Sequence, residues 1–309
     1  MLFKRIKNIN TSANTQKTNR LIFYVSMMAL PIAVVLLFYL YVNISSFAMA
    51  FQTFDADKGF YFTGFNNFLE VFSDFSKKEM LRASVGNSLQ LFGWTFIFSA
   101  MLSVFFSYYV YKEYPMSGFF KIVLYLPHII SGVVFVILYK YFADFAMPKI
   151  WQMITGTKLD PLVTDPKTGK TFIIVFSIWV SFGTNVLMYT SAMSAISPSI
   201  IESAQLEGIK PMQELWYIVI PCIWSTFVTF MLVSIVGIFT NQMSLHAFFG
   251  VHAEPRLYTF GYFLYREVLV AEQQSYPYLS AMGMLLTAVA IPITLVARYL
   301  FNKLGPKVV

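Results

Sequence analysis

Long apolar runs separated by short polar stretches dominate the chain. Crossing about 30 Å of hydrocarbon takes roughly 20 residues of helix. Runs long enough for this occur at 21–42, 89–111, 122–139, 172–193, 221–240 and 279–297. The third is the shortest, bracketed by Lys121 and Lys140 and interrupted by Pro127 and His128. A proline at such a depth frees a backbone carbonyl that only neighbouring protein or water can satisfy. The pattern predicts an all-α, polytopic membrane protein with six transmembrane helices over 21–300. A polar tail precedes them at 1–20, expected to be mobile, and a short one follows at 301–309. Although Ala48-Met49-Ala50 resembles a signal-peptidase site, the apolar run before it exceeds the roughly 7 to 15 residues of a signal-peptide core. The chain shows no internal repeat, heptad pattern or low-complexity tract.

Composition supports this reading. Hydrophobic residues make up 57% and charged residues 12%, whereas a soluble domain carries about a quarter charged. Lipid therefore has to cover most of the surface. The net charge of +7 follows the positive-inside rule more simply than it suggests nucleic acid, because Lys4, Arg5, Lys7, Lys17 and Arg20 precede the first run with no acidic residue among them. The N-terminus is thus expected in the cytoplasm. Six spans return the C-terminus there as well, with Arg298, Lys303 and Lys307. Stretches 43–88, 141–171 and 241–278 then lie outside, and 112–121 and 194–220 inside. Cys222 is the single cysteine, so neither an internal disulfide nor a CxxC site exists.

The loop between the fourth and fifth runs, 197–221, has legible local physics. Ser199 followed three residues on by Glu202 forms a capping-box pattern, and Pro198 suits a helix start. A short helix is expected to run to about Glu207 and to end at Gly208, which readily takes the left-handed conformation. Pro211 then opens a second short helix leading to Pro221 at the mouth of the fifth span. Ala204 and Gly208, four apart, are small enough to admit a close partner backbone. Taken alone, these features also suit a well-capped connector.

The spacing Glu-x-Ala-x3-Gly-x9-Ile-x-x-Pro, met by Glu202, Ala204, Gly208, Ile218 and Pro221, resembles the EAA loop of permease subunits of binding-protein-dependent ABC importers, most of all the sugar-importing, maltose-permease-like branch. Ser203 stands where that family favours Ala, Glu207 where it favours Asp and Ile220 where it favours Leu. The resemblance covers the chain from about Asn87 onward and implies a type I importer permease fold in a bacterial plasma membrane. It also implies that Glu202, Ser203, Ala204, Gly208 and Pro221 form the joint to separate ATP-hydrolysing subunits. The further implied partners are a second homologous permease, usually a different chain, two ATPase subunits, an extracytoplasmic solute-binding protein and a sugar or oligosaccharide. No cofactor is bound by the chain itself, since ATP belongs to the partner subunits, and no enzyme activity is implied.

The string 164–171 approaches a P-loop but has Thr164 where glycine is required and follows no strand. His128, His246 and His252 lack metal-ligand spacing, so no metal site is expected, and His128 beside Pro127 reads as a hydrogen-bonding group inside the bundle. The six runs contain no Asp or Glu, whereas ion-coupled carriers commonly keep an ionisable group at membrane depth. A self-sufficient secondary carrier or channel for a neutral solute, which would work without any ATPase, is the alternative. A membrane transferase would need a catalytic acid, base or metal that the sequence does not assemble.

Neutral, hydroxyl-rich solutes are held by aromatic faces and uncharged polar groups. In the resembled branch, solute contacts come from the helices flanking the EAA loop. On the fourth span Trp179 is the aromatic candidate, and Ser177, Val180, Ser181 and Thr184 recur at helical spacing; Ser234, Gly237, Ile238 and Asn241 do so on the fifth. These residues are the expected substrate path, with Asn185 also facing the interior. Close helix packing explains the small residues among them equally well.

Overall fold

The computed structural model describes residues 2–306, with side chains described from Thr18 onward. The side chains of Lys4, Arg5, Lys7, Lys17 and Lys307 lie outside the described residues. Two units are distinguished, residues 1–70 with 272–284, and residues 71–271 with 285–309.

In the first unit α1 (Leu2–Val34) runs through a π-helical stretch, Val35–Tyr41, into α2 (Val42–Ala50). The apolar rod Thr18–Ala50 is almost wholly exposed in the isolated chain, as expected of a helix whose surroundings are lipid or a partner. The stretch after it is not plain loop. Strands β1 (Gln52–Asp55) and β2 (Gly59–Phe62) pair antiparallel with Gln52 opposite Phe62, so among the described residues one small hairpin interrupts the helices. Helix α3 (Asn66–Lys77) follows. Asn67 ties the hairpin to the rod, donating to the carbonyls of Ala50 and Gln52 at 2.9 and 2.7 Å, and the Phe51, Phe65 and Phe68 rings cluster beside it.

The second unit is built on α4 (Glu79–Tyr111), which starts ten residues before the apolar run does. The expected third span is broken. Helix α5 (Ser117–Ile129) ends two residues after Pro127, Ile130 is extended, and α6 (Gly132–Tyr141) sets off at 112° and continues through a π-helical turn into α7 (Met147–Thr155). A missing N–H at Pro127, then Ser131 and Gly132, make this the weakest point of the run. Helix α8 (Gly169–Ser194) matches the fourth run. The loop helices α9 (Pro198–Leu206) and α10 (Pro211–Glu214) follow, and a π-helical turn leads into α11 (Ile220–Cys222). A bend of 76° at Ile223 separates this arm from α12 (Trp224–Val236), so the fifth span opens at Trp224, Pro221 belongs to the arm before it, and residues 237–240 are a turn. Beyond lie α13 (Leu245–Phe249), α14 (Phe260–Val270) and α15 (Tyr276–Leu304). Among the described residues four helices are long and apolar enough to cross a membrane, and six spans result if each bent pair counts as one.

Among the described residues helices α4 and α8 share the most extensive seam. Their seam is a stripe of buried serines at helical spacing on α4. Ser103 and Ser107 donate to the carbonyls of Phe182 and Val186 at 3.4 and 3.0 Å, and the hydroxyls of Ser99 and Ser181 meet at 3.1 Å. Small side chains let the backbones approach, and each hydroxyl finds a partner where water does not reach. Gly183 does the same toward α5: a Cβ there would lie 2.2 Å from the Leu124 carbonyl oxygen.

Candidate functional site

The 197–221 loop folds as two short helices around a left-handed glycine. Gly208 has φ +74°, its N–H donates to Gln205 at 3.0 Å, and the Ile209 N–H donates to Ala204 at 3.3 Å. This is the Schellman closure, and it explains the Ala-x3-Gly spacing: the motif's alanine carbonyl is the acceptor for the residue after its glycine. Pro211 opens α10, and the Gln213 side chain accepts the Lys210 N–H at 3.0 Å. The expected capping box at Ser199 does not form. Pro198 takes the first helical position and makes Ser197 the cap, so Ser199 lies inside the helix, where it shares a hydroxyl contact with Ser197 and its carbonyl accepts the Ser203 hydroxyl.

Glu202, Ser203 and Gly208 are exposed, as is Leu206 at 90%. Ala204, in contrast, is buried together with Ile201 on the inward side of α9. Its small side chain therefore brings α9 close to its own chain and is not on the surface open to a partner. That inward side joins a core of Val104, Tyr108, Tyr189, Met193, Leu215, Val219 and Ile223, drawn from the ends of α4 and α8 and from the arm. One ion pair adds to it. Glu214, 3% exposed, lies 2.6 Å from Lys112 Nζ at the C-terminal end of α4, and the ammonium also stands 5.8 Å from the centroids of the Tyr108 and Tyr111 rings. The cation there also suits the carbonyl end of the helix.

Further along the same helices is a cavity of about 180 Å³. Ser88, Thr95 and Ser99 of α4 line it with Ser177, Ser181 and Asn185 of α8, and Ser234 of α12 closes it with Gly237, Ile238 and Asn241, which lie past the end of that helix rather than on its expected continuation. Phe92 and Phe96 supply aromatic faces, and among the described residues no ionisable side chain lines it. Complete small-molecule sites run to roughly 300–1,000 Å³, so this volume suits part of a site. Its chemistry is that of hydroxyl and amide hydrogen bonding beside rings.

The family described as "Binding-protein-dependent transport system inner membrane component" matches residues 111–309. The chain belongs to that family. Among its relatives it is 24% identical over 297 residues to the polygalacturonan/rhamnogalacturonan transport system permease protein YteP of Bacillus subtilis, covering 91% of this chain and 88% of that one. It is 22% identical over 191 residues to the maltose/maltodextrin transport system permease protein MalF of Escherichia coli K12, covering 58% of this chain and 35% of that one. A chain from the crystal structure of a bacterial ABC transporter involved in alginate import shares the fold, with TM-score 0.75 and 21% identity over 95% of this chain and all of that one. The chain is thus a multi-pass inner-membrane component of a binding-protein-dependent transport system.

Within this transport component the ten residues expected along the solute path or facing the interior divide between two surroundings. Ser177, Ser181, Ser234, Gly237, Ile238, Asn241 and Asn185 meet at the cavity. Trp179, Val180 and Thr184 do not. Trp179 packs edge-on against Phe135 at 5.1 Å, while His128 takes the Val180 carbonyl at 3.2 Å and the Thr184 hydroxyl as partners. His128 thereby clips the broken third span to α8. The wall formed by Ser88, Thr95 and Ser99 was missed in sequence, although serine and threonine at helical spacing in an apolar helix were the available signal. The P-loop look-alike is a turn that runs into the first residues of α8 and is pinned by Asp144, whose carboxylate accepts the N–H groups of Val163 and Thr164 at 2.7 and 3.2 Å and the Thr164 hydroxyl. Among the described residues no His, Cys, Asp or Glu cluster has metal-binding geometry.

Toward the N-terminal end of α4 a polar knot stands beside Ser88 of the cavity wall. Asn87 donates to the carbonyls of Arg256 and Tyr258 at 2.8 and 3.0 Å, and Lys170 donates to Asn87 and Gln90 at 2.9 and 2.6 Å. Ser88 accepts the Phe260 N–H at 2.8 Å. Nearby, Tyr262 donates its hydroxyl to the Gly250 carbonyl at 2.7 Å, and burial pushes that phenol above its ordinary pKa, so it stays a neutral donor.

Proposed function

We propose that this chain is one of two permease subunits of an ATP-driven importer of a sugar or oligosaccharide, delivered by an extracytoplasmic binding protein. Both termini and the 197–221 loop lie in the cytoplasm, and the loop docks on one of two separate ATPase subunits. The chain itself catalyses no covalent step. The observation that carries this reading is the continuity from α9, through its buried side, into the ends of the two helices whose middles line the uncharged cavity. A push on the exposed face of α9 moves α4 and α8 relative to α12 and so alters the cavity. Neutral hydroxyls suit the serine, threonine and asparagine lining, and relatives named for polygalacturonan and maltodextrin transport support a saccharide. A second permease supplies the rest of the site and the second docking loop.

The test is substitution on the exposed face alone. Glu202→Lys reverses the docking charge, and Gly208→Val strains a φ of +74°. Both variants are expected to insert normally, to lose the ATPase subunits on purification and to lose uptake. Full uptake by Glu202→Lys, or uphill transport by the chain without an ATPase, would overturn the proposal.

A further inference from the structure

Between α12 and the C-terminal part of α15 runs an open groove of about 820 Å³, which has Val233 in common with the cavity lining. Along α12 its lining passes from Ser225, next to the 197–221 loop, through Val228, Thr229, Leu232 and Val233 to Val236, and Arg298 and Asn302 face it from α15. From Ser225 to Val236 the helix rises about 16 Å, which is the depth of one leaflet of a hydrocarbon core about 30 Å thick. Arg298 is exposed into this groove and forms no ion pair among the described residues. Neither α12 nor α15 contains an acidic residue to answer it, and the neighbouring Lys303 is turned over the Tyr299 ring. An unanswered guanidinium with hydroxyl and amide groups, facing a mostly apolar channel one leaflet deep, has the shape and charge of a phospholipid site.

We propose that this groove holds one phospholipid with an anionic headgroup, its phosphate on Arg298 and Asn302 and an acyl chain along Val228, Leu232 and Val236. Guanidinium favours phosphate because its fork of donors matches two oxygens, and basic pockets between helices on the cytoplasmic side collect such headgroups. The leaflet assignment rests on the reading that the loop faces the cytoplasm. The ligand chemistry does not. Because α12 also carries Ser234 of the cavity wall, a bound lipid would brace the helix opposite α4 and α8.

Cys222, the single cysteine of the chain, is exposed and lines the groove, so it serves as a native reporter. The permease assembly with its partner subunits is to be reconstituted in vesicles of phosphatidylcholine alone or equimolar with phosphatidylglycerol. Maleimide alkylation of Cys222 is then timed, and retained lipid is weighed by native mass spectrometry. Phosphatidylglycerol is expected to slow alkylation and to be retained. Arg298→Gln should weaken retention about fivefold, the worth of one basic group at a membrane surface, and Arg298→Lys should restore most of it. Equal retention by Arg298→Gln would overturn the proposal. So would protection by inorganic phosphate alone, which would make this a soluble-anion site, or cross-linking of Cys222 to the second permease with no lipid retained. These outcomes are independent of Glu202→Lys, so the lipid site and the coupling reading fail separately.

Discussion

Breaking the Lys112–Glu214 pair is the sharpest test of how the loop is fastened to α4. The carboxylate is 3% exposed and the ammonium side chain 17%, with 2.6 Å between them. Lys112→Met leaves a buried carboxylate without its cation, which costs about 3–5 kcal/mol when a pair is fully enclosed. Water reaches the lysine side, so the lower end, about 3 kcal/mol, is expected. Replacing both residues, Lys112→Met with Glu214→Leu, removes the unpaired charge and should return stability to within about 1 kcal/mol of the parent. The cycle therefore carries a coupling of about 2 kcal/mol or more, read as the thermal unfolding of the purified assembly. It should change little in molar salt, because screening acts weakly on a buried pair. Glu214→Ala should also leave ATPase activity while uptake falls, since the arm would no longer carry α4 with it. Two single variants that each cost under about 1 kcal/mol and simply add would show that the pair is solvated and that the reasoning is wrong.

Gly183→Ala should destabilise the assembly by about 1–3 kcal/mol, since its Cβ would sit 2.2 Å from the Leu124 carbonyl oxygen, whereas Gly118→Ala, with open space around it, should be neutral; thermal melts of the two variants side by side check this. Tyr189→Phe should be neutral or stabilising by about 1 kcal/mol, because the Tyr189 hydroxyl is buried with no hydrogen-bond partner among the described residues, and a loss of melting temperature would reveal a bond that the fold conceals.

What could be read along the chain was what depends on neighbours in sequence. Apolar runs of helical length marked the spans because lipid imposes one length on any helix that crosses it. Gly208 and Pro211 marked the loop's turn because left-handed backbone and a missing N–H are properties of single residues. The hairpin at 52–62 escaped notice, since a few residues paired across a tight turn leave little periodic signal. The capping pattern at Ser199 points two positions past the true cap, Ser197, because Pro198 takes the first helical position.

The tertiary structure decided everything that depends on which face a helix turns to its neighbours. Spacing along α8 could group Ser177, Val180, Ser181 and Thr184, but only packing against α4 on one side and α5 on the other sent the serines to the cavity and Val180 and Thr184 to His128. Ala204 carries the motif's small side chain, yet its burial against the chain's own core follows from where α4 and α8 end. Lys112 caps α4 and Glu214 ends α10, about a hundred residues on, and nothing in either sequence neighbourhood points to the other. Helical periodicity gives angles about one axis; distances between axes, and hence ion pairs and cavities, exist only once the helices are placed together.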